Sequence, residues 1–264
     1  MKGSSVEVIQ HNKLAKFHNG IDIFFIKTDY LLRFFEDIKN YTTPITLITG
    51  NSDYPITDEV VDLAPSCVTR WFGQGINTDA AFVSAVPYGI ENSETCVLGE
   101  AFGYGWPHAV EKVAVLEDPP SKQPTKEVYA NFSESTYPGR PSVAKLCREI
   151  SYITDDIRPV CNHRTYDQFV DTILDHKMVV CPRGNAPAET HRFWEVLYLN
   201  RVPIVKHKRG IAPFTKLPVI VLDDWDKLTD LEFLHSEYDR VKDNSKEMLD
   251  MSYWVNLVTG DGKK

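Results

Sequence analysis

The sequence predicts an α/β protein of two doubly wound halves that face one cleft. Between residues 21 and 90, short β-rich apolar runs alternate with helical patterns. A Gly- and Pro-crowded stretch then interrupts that alternation from 92 to 126, and it restarts at Val128 and runs to 222. Strands separated by crossover segments form mainly parallel sheets, whose ligands sit outside the carboxyl ends of the strands.

In chain order, residues 21–27 read as the first strand and 30–38 as the helix behind it. The strand at 45–49 stops at Gly50-Asn51-Ser52-Asp53, a turn-forming run. Residues 66–72 and 82–87 complete the first half. Gly99, Gly103, Gly105, Pro107, Pro119, Pro120 and Pro124 then mark a stiff interdomain connection. The second half places strands at 128–132, 178–181, 202–206 and 218–222, with helices at 141–150, 166–175 and 189–199. A terminal helix is expected from about 237 to 258.

Composition narrows the function classes. A chain of 264 residues with 42% hydrophobic and 25% charged residues has enough apolar material for two small cores. The net charge of −8, without a basic block, argues against nucleic acid or an anionic membrane as partner. Five widely spaced cysteines without a C-x-x-C pair point to reduced thiols. Neither a signal-peptide pattern nor an apolar run of about 20 residues is present, so a cytoplasmic location without a membrane span is expected. Walker A, G-x-G-x-x-G, G-x-S-x-G and H-E-x-x-H patterns are all missing, which disfavours NTPase, dehydrogenase, serine-hydrolase and zinc-protease chemistry.

The most informative segment runs from 178 to 205, where a buried strand enters a Pro/Gly loop, then a helix, then a second buried strand. A loop of this kind presents backbone N–H groups at the positive end of the helix, a setting suited to a diphosphate. Arg192 and Glu195 lie three residues apart on one helix face. A guanidinium matches phosphate oxygens, and a carboxylate accepts hydrogen bonds from ribose hydroxyls. The same spacing also describes a plain surface ion pair worth about 0.2–0.5 kcal/mol.

Cys181-Pro182-Arg183-Gly184-Asn185, Thr190-His191-Arg192-Phe193-Trp194-Glu195 and Pro203-Ile204-Val205 resemble the donor-side signature of exostosin-like (GT47-type) glycosyltransferases. Pro213-Phe214 and Asp223-Asp224-Trp225 resemble further elements of that family. The runs 47–53 and 87–92 are loosely similar to its short members in algal viruses and phages. The resemblance implies a GT-B-like fold of two Rossmann-like domains. Residues 1–125 would form the acceptor side with the linker, and 126–264 the nucleotide-sugar-binding domain. It implies inverting transfer from a UDP-sugar to a hydroxyl of an oligosaccharide or glycoprotein acceptor, with no cofactor and no divalent metal. Xylose, galactose, glucuronic acid and N-acetylglucosamine are the candidate sugars, and a viral relative suggests a viral glycoprotein as acceptor. Arg192 matches the phosphate-binding arginine, Glu195 the ribose partner and Thr190 the hydroxyl residue before the arginine. Arg183, Gly184, Asn185 and His191 fall in the same donor-binding loop and helix start.

Two departures from the family pattern stand out. Asn200-Arg201 replaces the family's glycine before the I-P-V strand, and Asn is the usual substitute in a left-handed cap. Ala186-Pro187-Ala188 replaces a more glycine-rich stretch. Arg140, at the entrance to the 141–150 helix, is a second phosphate candidate, and Lys206, Lys208 and Arg209 are expected near the cleft mouth. Asp53 and Glu91, each directly after a strand, are candidate bases for deprotonating the acceptor, with Asp29 and His18 behind them. Asp224-Trp225-Asp226 has metal-binding D-x-D spacing but reads as a structural loop. Trp71 and Trp106 are candidates to stack on a sugar. The alternatives are a GDP-fucose-type fucosyltransferase and a non-catalytic nucleotide- or glycan-binding module.

Overall fold

A computed structural model describes residues 6–157 and 165–260. The elements in order are β1 (Ile23–Lys27), α1 (Leu31–Ile38), β2 (Ile45–Gly50), β3 (Ile56–Thr57), α2 (Asp58–Val61), β4 (Val68–Gly73), β5 (Ile76–Asn77) and β6 (Val83–Ala85). They continue with α3 (Pro107–Glu117), β7 (Lys126–Ala130), α4 (Arg140–Glu149), β8 (Ile153–Asp155), α5 (Tyr166–Leu174) and β9 (His176–Val180). The chain ends with α6 (His191–Tyr198), β10 (Val202–Lys206), β11 (Ile220–Leu222), α7 (Leu231–Val241) and α8 (Met251–Thr259).

The protein is α/β with parallel sheets. One sheet has the order β1-β2-β4-β6, a second β11-β10-β9-β7-β8, and β3 pairs with β5. Every named strand pair is parallel. Among the described residues only the five-stranded sheet reverses direction: the chain steps from β7 out to β8, then returns past β7 to β9. The four-stranded sheet runs in chain order. Double winding, expected of both halves, is therefore seen in the second half alone; strand spacing in a sequence does not say which edge the next strand joins.

Three further corrections concern elements. The Gly/Pro-rich connection contains the eleven-residue helix α3. Pro107 occupies its first turn, where a missing N–H removes no helical bond, so the proline starts this helix rather than breaking one. The expected terminal helix is two helices, α7 and α8, the latter capped at its start by Asp250. The edge strand β8 and the β3–β5 pair, at two or three residues each, are too short to show a period.

Local chemistry accounts for the helix ends around the site. Thr165 and Gln168 form a reciprocal capping box on α5. Helix α6 ends in a Schellman motif: Arg201 N–H bonds Val196 O at 2.9 Å and Asn200 N–H bonds Leu197 O at 3.0 Å. Asn200 has φ 56°, the left-handed cap expected of it. One apolar cluster spans both sheets, joining Phe25, Ile48 and Phe72 to Tyr129, Val179, Trp194 and Trp254. The halves thus share a core, and α8 reinforces the join through Arg70 Nη2, which donates to Leu257 O at 2.9 Å.

Candidate ligand site

Reversal of strand order between β7 and β9 leaves a crevice at their carboxyl ends, where such sheets bind ligands. A cavity of about 880 Å³ opens there, with walls from both halves. Asn131 follows β7 and Cys181 follows β9, and both line it. Thr190, His191, Arg192 and Glu195 bring in the start of α6. Thr190 is the N-cap of α6 yet makes no side-chain cap bond, so its hydroxyl leaves the helix start open to a ligand.

Arg192 and Glu195 do pair, Nε to Oε2 at 3.0 Å, but within the cavity wall rather than on an outer surface. Only 3% of the Glu195 side chain is exposed. Arg192 Nη1 also donates to Asn131 O at 2.6 Å, and its guanidinium lies 4.1 Å from the centre of the Phe169 ring. Arg140 lines the same cavity and donates to the carbonyls of Ser133, Pro182 and Arg183. Among the described residues it pairs with no carboxylate. Burial, and then the like charge of Arg192, lower its pKa to about 10, so it remains cationic at neutral pH.

Gly184 and Asn185 line the cavity as expected, but Arg183 does not. Its guanidinium folds back onto Gly184 O and Asn185 O and stacks 4.2 Å from the Tyr137 ring centre. It faces a smaller cavity of about 220 Å³ behind the loop, together with Lys206 and Lys208. Two neighbouring carbonyls and a ring satisfy this guanidinium locally, which the loop's sequence does not reveal. Arg209 instead ties the halves together, reaching Asp58 at 3.3 Å and Asp79 at 3.2 Å.

A second cavity of about 750 Å³ adjoins the first and shares Asp53, Tyr88 and His191 with it. Asp53 stands at this junction and accepts a 3.2 Å hydrogen bond from Asn185 Nδ2. Glu91 lines only the second cavity and is bound to Lys112 at 2.7 Å. Burial alone would raise the Glu91 pKa; nearby His191 and Lys112 outweigh it and hold the carboxyl well below the usual range. The sequence thus places both candidate bases at the cleft, but only Asp53 touches both cavities. Of their reserves, His18 Nδ1 accepts from Phe25 N–H at 3.2 Å and lines neither cavity, whereas Asp29 lines the second.

Two residues went unnoticed in the sequence. Lys112, on α3, bridges Glu91 of the first half and Glu195 of the second, 2.9 Å from the latter. Its helix was hidden among prolines. Glu189 sits in the loop just before α6, where Oε1 accepts from Tyr88 N–H at 2.7 Å and from Trp194 Nε1 at 3.2 Å. Burial pushes its pKa up to about 7. The available signal was its place two residues before the helix start rather than inside the helix.

Asp224 caps its own loop through Trp225 N–H and pairs with Lys206 at 2.6 Å. Trp71 is fully buried, whereas Trp106 stands half-exposed beside the second cavity. Among the described residues no group of three or more His, Cys, Asp or Glu is placed to hold a metal ion. None of their helices is long and apolar enough to cross a membrane. Comparison with protein-family models and with curated proteins finds no match for this chain.

Proposed function

We propose that the chain is an inverting glycosyltransferase of GT-B-like arrangement, taking a UDP-sugar in the larger cavity and a glycan hydroxyl in the adjoining one. The observation that carries the reading is the convergence of two guanidiniums, Arg140 and Arg192, on the open start of α6 at the strand-order reversal. Among the described residues Arg140 contacts three carbonyls and the Phe132 ring but no carboxylate, so its charge is left for an anion. Two linked phosphates satisfy both arginines and the helix start together.

In the reaction, the acceptor oxygen attacks the anomeric carbon from the face opposite the diphosphate. The C1–O bond breaks as the new bond forms, and UDP departs with the electron pair. Arg192 and the helix start stabilise that developing charge, the larger catalytic contribution in such transfers. Asp53, at the meeting of the cavities, takes the hydroxyl proton. Glu91 is the weaker candidate base, because Lys112 holds it ionised and occupied. Glu195 receives the ribose hydroxyls once Arg192 turns to the phosphates.

Calorimetry with UDP and GDP, followed by a UDP-release assay over a panel of UDP-sugars, tests the reading. UDP binding with turnover of at least one sugar is expected. Preference for GDP supports the fucosyltransferase alternative, nucleotide binding without turnover supports the non-catalytic one, and no nucleotide binding refutes the assignment.

A further inference from the structure

The second cavity has features that the donor chemistry leaves unused. Its wall carries four carboxylates, Asp29, Asp53, Glu91 and Glu100, against one ammonium, Lys27. Lys27 lies 3.5 Å from Asp29, and Glu91 is neutralised by Lys112 from behind. Among the described residues, Asp53 and Glu100 pair with no cation. The cavity therefore presents a net negative face to whatever enters it.

Three large rings stand around the same opening. Tyr54 is 62% exposed, Tyr104 58% and Trp106 50%, and all three line the cavity. Single exposed apolar side chains are ordinary, whereas three gathered on one polar cavity mark a binding surface. A ring offers an apolar face with a negative quadrupole, which suits the polarised C–H face of a sugar. The neighbouring segment is fixed: Asn51 Nδ2 donates to Asn12 Oδ1 at 2.7 Å and to Phe102 O at 2.8 Å, so the surface is formed before a ligand arrives.

We infer that the second cavity selects an uncharged glycan as acceptor, with Trp106, Tyr104 and Tyr54 stacking on its rings and Asp53 and Glu100 excluding sugars that carry carboxylate or sulfate. This rests on the transferase reading for the word acceptor, but the binding it requires is separable from donor binding. Uronate-, sulfate- and sialate-bearing chains meet like charge at the point where their hydroxyl would have to approach Asp53.

The test displays the full chain tetravalently, so that weak contacts register, on an array of uncharged, uronate-, sulfate- and sialate-bearing oligosaccharides, with and without UDP. Binding confined to uncharged glycans is expected, with at least a tenfold loss of signal in Trp106→Ala. Glu100→Lys, a change on an exposed side chain, should admit uronate-bearing chains. Anionic glycans among the wild-type binders, no glycan bound at all, or a Trp106→Ala protein indistinguishable from wild type would each overturn the inference. Calorimetry with UDP on the same preparations keeps the two ideas apart. Glycan binding without any UDP heat removes the donor reading alone, and UDP binding without glycans removes the acceptor inference alone.

Discussion

Arg192 and Arg140 share one cavity but are held differently, and the difference decides what each substitution should do. Arg192 is partly exposed and gives up one ion pair, one carbonyl and its contact with the Phe169 ring, while Glu195 keeps Lys112, so Arg192→Ala should leave the melting temperature within a few degrees of wild type. It should weaken UDP binding by about 1.5–3 kcal/mol, the worth of hydrogen bonds to a charged group, measured by calorimetry. Arg140 holds three carbonyls together and would cost fold as well as affinity. Glu189 supplies a pH signature. Its folded pKa of about 7 lies above the ordinary glutamate value of 4.5. The stability it contributes is thus full below about 4.5 and is lost as pH rises through 7. Glu189→Gln should flatten that part of the stability curve, read as melting temperature against pH from 4 to 8. Spacing put Arg192 and Glu195 on one helix face, and the structure has them together on the cavity wall. Spacing was insufficient for Arg183 and Lys112, whose directions are set by partners distant in sequence or by carbonyls that sequence does not display.

At the scale of elements, α6 is defined by its two ends. Its start is left open for a ligand, and its finish is closed by Asn200 in a left-handed conformation. A β-branched residue there would force the strained backbone, so Asn200→Val should cost about 1–2 kcal/mol in urea unfolding. The strands and helices of the second half were legible because their apolar runs are long and bounded by turn residues. Helix α3 was not, since Pro107 and the prolines after it look like breakers when context is lacking. That omission matters, because α3 carries the lysine that joins the two halves. Lys112→Met would leave Glu91 and Glu195 facing each other with their shared cation removed. A loss of about 3–5 kcal/mol is expected, as for other broken buried pairs. The double change Lys112→Met with Glu91→Gln should recover much of it.

For the molecule as a whole, the sequence conveyed two runs of parallel strands but not how they meet. The apolar residues of the two sheets pack into one continuous cluster, from Phe25 and Phe72 to Trp194 and Trp254. Its consequence is thermodynamic cooperativity across the waist of the protein. Scanning calorimetry should record one transition, with calorimetric and van't Hoff enthalpies in agreement, rather than two separate melts. A clamshell swing would have to shear that apolar seam, so any tightening around a ligand should fall to side chains and surface loops.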